Sequence, residues 1–365
     1  MTTCKKCVMD TTDKDIFFDD DGICNYCQNF KTYTKWLRPY EDLLPVFDDI
    51  KSRNKENEFD CIIGISGGVD SSYVAYQAYK HQLRAILVHV DNGRNSPEAS
   101  ENIRKVSKYT GYPIKMIEVD EEEFKDMVKA YLKASVIDIE IPSDHAITAT
   151  LCKMAINTKI KYILSGGNYS SEGISPKSWS YLKLDARNIK DIYAKFGKGK
   201  KIKHFPFFSY SQKKWHEIVL KDLQIIQILD YLDYDKEKAK KEMTEIFGWE
   251  DYGGKHYESV WTRFYQGHIL PEKFGVDKRK SHYSSLINMG QLKRAEALDL
   301  LEKPPYSKTQ LKKDREEILQ WLEISEEEFE EIMRLPIREH TEFKNDTNLA
   351  ELYRKIKRSI TKRRA

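Results

Sequence analysis

Long apolar runs are absent from this sequence. None approaches the roughly 20 residues that a helix needs to cross a bilayer. The first fifteen residues, MTTCKKCVMDTTDKD, lack the apolar core of a secretory signal. A cytoplasmic protein with no membrane insertion is therefore expected. Repeats of fixed period and low-complexity tracts are missing too, which excludes a solenoid. Two nucleotide-binding strings do not occur: the Walker pattern G-x-x-x-x-G-K-S/T and the dinucleotide pattern G-x-G-x-x-G. Strong charge of one sign is also lacking. The net charge is +3 over 365 residues. Seven Lys or Arg lie in the last thirteen residues, and without them 54 basic residues face 58 acidic ones. The body is thus mildly acidic. No nucleic-acid partner is expected of it, and the basic tail reads as a solvated helix end.

Cysteine is scarce, and its placement is informative. Four of the six fall as Cys4-x2-Cys7-x16-Cys24-x2-Cys27, while Cys61 and Cys152 stand alone. In a reducing compartment two CxxC pairs at this separation fit a tetrahedral Cys4 zinc site rather than disulfides. Each pair grips the metal from one tight turn, and the segment between them reads as a short strand and turn. Four thiolates leave no open coordination position, so the role is structural.

Beyond this module the pattern alternates. A helix is expected near Tyr40–Arg53. Apolar runs at 61–65, 84–90, 112–119 and 161–165 read as strands of a buried parallel sheet. The stretches 69–82, 96–110, 121–136 and 143–160 read as helices, with Pro97 at a first helical turn. This is an α/β, doubly wound parallel sheet, whose ligands bind at the carboxyl ends of the strands. His204-Phe-Pro-Phe-Phe208 is a candidate last strand. The rest reads as helices over 211–222, 235–247, 254–266, 280–301, 308–322 and 325–335, with a capping box at Ser325 and Glu328. Three regions follow: a zinc module over 1–45, a nucleotide domain over 46–205 and a mainly helical region over 206–365.

The sharpest signal is Ser66-Gly67-Gly68-Val69-Asp70-Ser71-Ser72, between the first strand and its helix. Two glycines let the backbone approach phosphate oxygens. The amides that follow open a helix, where the dipole favours anions. Ser66, Ser71 and Ser72 offer hydroxyls. Asp70 would repel phosphate directly but suits the magnesium that accompanies a nucleotide. The whole string resembles the SGGxDSS signature of the PP-loop ATP pyrophosphatases, the adenine nucleotide α-hydrolase-like family. That resemblance implies that the loop holds the pyrophosphate leaving ATP, with an adenylate as the activated intermediate. It also implies that the second strand's end, His89-Val90-Asp91, sits against adenine, and that Gly166-Gly167-Asn168 ends the fourth strand near the nucleotide.

Further segments sharpen the resemblance. CxxC-V-M-D-T-T, CNYC, SGGVDSS, Tyr252 to Gly267 and Pro271 to Ser284 together look like the N-acetyl sugar amidotransferases, and the likeness runs from residue 1 to about 305. Beyond that only a generic helical tail is legible. The family implies that an acetamido group of a nucleotide-linked sugar becomes acetamidino, in bacterial surface-glycan or nonulosonic-acid synthesis. It further implies ammonia from a separate glutaminase subunit. The residues agree, since Cys61 in a strand and Cys152 on an apolar helix face read as core, leaving no reactive thiol for a glutaminase. Lys255 and Glu258, three apart on one helix face, and Arg263 further along are candidates for phosphate contact and proton handling. Asp277 to Lys280 is a candidate contact for a carrier's phosphates. The rival reading is a PP-loop enzyme that adenylates a tRNA base for thiolation. It would rest on the basic tail, with only Cys61 and Cys152 left to carry sulfur.

Overall fold

The computed structural model describes residues 2–34, 37–253, 259–305 and 307–362. Its N-terminal cysteines lie on two short bridged turns, Thr3 with Asp10 and Phe18 with Cys24, rather than on a full strand. Helices α1 (Asn25–Thr34) and α2 (Leu43–Arg53) lead to the sheet. The units β1 (Cys61–Gly64), α3 (Val69–Lys80), β2 (Ala85–Asp91), α4 (Pro97–Thr110) and β3 (Ile114–Glu118) then alternate as expected. Ser96 caps α4 through a bond from Ala99 N, with Pro97 inside the first turn. Two consecutive helices, α5 (Glu121–Ala134) and α6 (Ile141–Thr158), precede β4 (Tyr162–Ser165).

The fifth strand differs from expectation. Residues 204–208 form no strand; β5 is Gln224–Gln227, beyond the boundary placed at 205. Phe205 and Phe208 are buried as side chains instead, with Phe205 stacked on His145. The short run Gln-Ile-Ile-Gln carries too few apolar residues to announce a strand.

The five strands among the described residues are all parallel, in the order β3-β2-β1-β4-β5. The chain winds outward from β1 in one direction, then returns to place β4 on the other side of β1. Two chain directions therefore diverge above the β1–β4 pair, which opens a crevice at their carboxyl ends. One sheet face packs with α3 through Ile63, Ile65, Val74 and Leu164. The other packs with α6 through Ile62, Val88, Ile163 and Cys152.

From residue 236 onward the described elements are helical. The stretch read as one helix over 280–301 is two, Lys278–Asn288 and Arg294–Glu302, broken where Gly290 adopts φ +75°. Val260–Phe264 continues through the wider turns of Tyr265–Ile269 into Leu270–Phe274. Ser325 caps Glu326–Arg334 by accepting from Glu328 N. No helix among the described residues is long and apolar enough to cross a membrane.

Candidate active site and metal centre

The glycine loop occupies the crevice. Gly67 has φ +81°, and a Cβ there would lie 2.1 Å from Ala99 O, so no other residue fits. Its carbonyl accepts from Trp249 Nε1 at 3.2 Å and Asn102 Nδ2 at 3.4 Å, which fixes the turn. Gly68 is the N-cap of α3 and supplies no side-chain cap. The first amides of α3 thus keep their hydrogen-bonding capacity for an anion. Ser66 and Ser71 face each other at 3.2 Å, and Gly68 N donates to Ser66 Oγ at 3.3 Å. Val69 and Ser72 turn inward and are buried. Ser72 Oγ has no hydrogen-bond partner among the described residues.

The Asp70 carboxylate accepts from Tyr234 Oη at 2.6 Å, Lys236 Nζ at 2.9 Å and Asn168 Nδ2 at 3.3 Å. Burial, with the adjacent Asp70 charge, raises the Tyr234 phenol far above its ordinary range and keeps it a donor. Tyr234 and Lys236 come from a segment without a motif, and sequence reasoning missed both. The β4 loop closes on α3: a Cβ at Gly166 would lie 3.0 Å from Asp70 C and Ser71 N. Asn168 caps the next turn by accepting from Ser171 N at 2.9 Å.

At the end of β2, His89 Nδ1 donates to Ile65 O at 2.8 Å, leaving Nε2 to accept from Asn95 Nδ2 at 2.9 Å. Asp91 accepts from the same Asn95 amide at 2.8 Å and from Gly93 N at 2.7 Å. Asn95, another residue not singled out from sequence, thus ties the strand end into one network.

A cavity of about 1020 Å³ opens over these strand ends. Ser66, His89, Val90, Asn95 and Gly166 line its inner part. The opposite wall comes from distant sequence: Ser259 to Gly267, Asp277 to Tyr283 and Leu300 to Pro305 all contribute. Arg263 lines this wall and binds Asp314 through both carboxylate oxygens, at 2.6 and 2.9 Å. Lys255 and Glu258 lie outside the described residues. In the 277–280 run, Arg279 binds Asp277 and the carbonyls of Leu300 and Lys303, and Lys280 pairs with Asp10 at 2.5 Å. These two cations therefore hold the wall together, and Lys278 is left at the cavity beside Glu140 at 3.5 Å.

The four N-terminal thiols converge. Cys4, Cys7, Cys24 and Cys27 are buried, with sulfurs within 4.8 Å of one another. A tetrahedral ion with bonds of about 2.3 Å would set its sulfurs roughly 3.8 Å apart, and Cys7 to Cys24 spans 3.7 Å. The sulfurs also accept N–H donors, from Met9 N to Cys7, Cys24 N to Cys4 and Asn288 Nδ2 to Cys27. Such donors suit thiolates, so the cluster can hold a metal ion. By contrast, Cys61 and Cys152 are buried, and burial pushes the Cys152 thiol up to about 12. Neither is a nucleophile at neutral pH.

Comparison with known proteins agrees with this architecture. Residues 56–167, which carry the glycine loop, match the asparagine synthase family. Fold and loop therefore define an ATP-dependent enzyme of the PP-loop synthetase type. Residues 258–357 match the family described as LPS biosynthesis protein WbpG-like, C-terminal domain. Two separate parts of the chain thus match known families, the loop-bearing sheet and the C-terminal helices. The second match reaches well past residue 305, into what read as a generic tail.

Similar solved structures include a predicted subunit of tRNA methyltransferase from Methanocaldococcus jannaschii, 18% identical, covering 61% of this chain and 93% of that one at a TM-score of 0.33. NMN synthetase from Francisella tularensis is 13% identical over 86% and 98%, at 0.33. The U34-tRNA thiolase NcsA from Methanococcus maripaludis, with its [4Fe-4S] cluster, is 16% identical over 83% and 88%, at 0.31. No curated protein sequence matches the chain.

Proposed function

We propose that this protein is an N-acetyl sugar amidotransferase acting in bacterial surface-glycan synthesis. One observation carries the reading: Ser66, which opens the glycine loop, and residues of the WbpG-like region line a single cavity. The carbonyl oxygen of an acetamido group attacks the α-phosphorus of ATP, and pyrophosphate leaves. Ammonia then adds to the imidoyl carbon and AMP departs, giving the acetamidino product. An amide oxygen is a poor leaving group, and adenylation makes it a good one. Amides at the start of α3 receive the pyrophosphate. Magnesium would accompany ATP, with Asp70 of the loop the carboxylate proposed to hold it. Zinc is the ion proposed for the four thiolates.

Ammonia comes from a separate glutaminase subunit, because the two cysteines outside the cluster are buried and protonated. The working place is the cytoplasm, where ATP is available. Product analysis tests the whole scheme. The protein is mixed with magnesium-ATP, an ammonium salt and nucleotide-linked diacetamido sugars, with bulk tRNA in a parallel arm. Sugar-dependent AMP and pyrophosphate, with a product in which one oxygen has become NH, is the expected result. AMP released only with tRNA would overturn the proposal and leave the ATP site standing. Glutamine hydrolysis by the purified chain alone would remove the need for a partner.

A further inference from the structure

The cavity has a second polar end, built on the first turn of α6 and on the Trp179–Lys183 segment. Ser143 and Trp179 line the cavity, and each is more than nine-tenths buried. Neither Ser143 Oγ nor Trp179 Nε1 has a hydrogen-bond partner among the described residues. Leaving a buried polar atom without a partner is unfavourable, so two of them on one cavity wall mark where a ligand's polar atoms belong.

Their surroundings define the ligand. Lys183 Nζ sits between Asp138 and Asp144, 2.8 Å from each. Although burial works against it, the charges of Asp138, Asp144 and Glu140 hold the Lys183 ammonium well above its ordinary range. Glu140 Oε2 accepts from Gln266 Nε2 at 2.7 Å and lies 3.5 Å from Lys278 Nζ. Glu140 and Asp144 thus line this end with Lys183 and Lys278, and the fully buried Asp138 sits behind Lys183 as a third carboxylate. That balance disfavours a phosphate or carboxylate ligand here. Carboxylates accept from hydroxyls, a serine hydroxyl donates or accepts, and an indole N–H donates to an oxygen. The set suits a neutral ring rich in hydroxyl groups.

We infer that this end is the sugar-ring subsite, a reading that rests on the proposed amidotransferase activity. Asp144 and Glu140 accept from ring hydroxyls, while Ser143 Oγ and Trp179 Nε1 hydrogen-bond to ring or amide oxygens. The carrier's phosphates lie outside this end. An acetamido group held from here points along the same cavity toward Ser66 and Gly166.

The full-length protein is tested with methyl N-acetylglucosaminide, a probe without phosphate, by saturation-transfer NMR. The ring protons are expected to receive saturation, and excess inorganic phosphate is expected not to displace the probe. Ser143→Ala and Trp179→Phe remove one polar atom each and should each weaken the probe about fivefold. Their affinity for magnesium-ATP should equal that of the unmodified protein. Probe binding unchanged in both variants would overturn the inference. If the amidino product also forms at unchanged sugar KM in both, the subsite falls and the amidotransferase reading stands. If no acetamido sugar binds or reacts while tRNA drives AMP release, both fall together.

Discussion

Gly67 is the residue on which the loop turns. Its positive φ and its contact with Ala99 O act together: a side chain there is strained in conformation and also meets backbone, which cannot rotate away. Gly93 gives the control. It has φ +76°, but a Cβ added there would meet nothing within 4 Å, so only conformational strain would apply. Gly67→Ala is expected to destabilise the fold by on the order of 3 kcal/mol or more and to abolish ATP binding. Gly93→Ala should cost on the order of 1 kcal/mol and leave ATP binding in place. Urea unfolding with calorimetric titration of ATP distinguishes them. Equal behaviour of the two would show that the approach to Ala99 does not shape the loop.

At the scale of elements, much of the nucleotide half was legible because its signals are local. Short apolar runs bounded by glycine, the Ser96–Pro97 helix start and the SGGVDSS string each declare themselves within a few residues. The contacts that join this half and the cysteine module to the rest of the molecule were less legible because they span the chain. Asp70 meets Lys236 across 166 positions, and Cys4 O meets Arg294 Nη2 across 290. No periodicity reports such pairs. These long contacts tie the cysteine module to the cavity. Helix Lys278–Asn288 lines the cavity with its first residues, while Lys280 binds Asp10, Ser284 Oγ accepts from Val8 N and Asn288 donates to Cys27. Arg294 also donates to the carbonyls of Cys4 and Cys7. Stripping metal from the cysteines should therefore loosen the cavity wall as well as the module. Chelation, or Cys24→Ser, is expected to lower the unfolding temperature by several degrees and raise the sugar KM, with a smaller effect on ATP affinity. Metal analysis and absorbance before chelation identify the ion: a colourless zinc protein is expected, whereas visible charge-transfer bands would indicate iron and sulfur. Unchanged sugar KM in a stably folded, metal-free protein would confine the metal to a local role.

At the scale of the whole molecule, buried titrating groups set how stability responds to acid. His145 is wholly buried; its Nδ1 donates to Lys183 O at 2.9 Å and its Nε2 accepts from Phe208 N at 3.2 Å. Only the neutral imidazole satisfies both bonds, and burial lowers this group to about 4. His340, stacked on Tyr181 at 4.2 Å, is lowered by burial to about 4 as well. Between about pH 6.5 and 4 the unfolded chain therefore takes up two protons that the folded chain refuses, so stability falls as pH falls through this window. Asp230 acts in the opposite sense. Burial raises it to about 6, so the folded chain binds its proton first and gains stability on acidification from about 6 to 4. Among these three groups, two histidines against one carboxyl leave a net uptake of one proton on unfolding, a loss of roughly 1 kcal/mol per pH unit near pH 5, and the lowered His81 and His268 act in the same sense. Asp230→Asn keeps an acceptor for Tyr169 N, which Asp230 holds at 2.7 Å, and removes the opposing titration. Urea unfolding at pH 7 and pH 5 should show lower stability at pH 5 and a steeper fall in Asp230→Asn. A parent protein that gains stability toward pH 5 would contradict the neutral burial of His145 and His340. That result would also undermine the hydrogen bond by which His145 fixes the Lys183 backbone beside the polar end of the cavity.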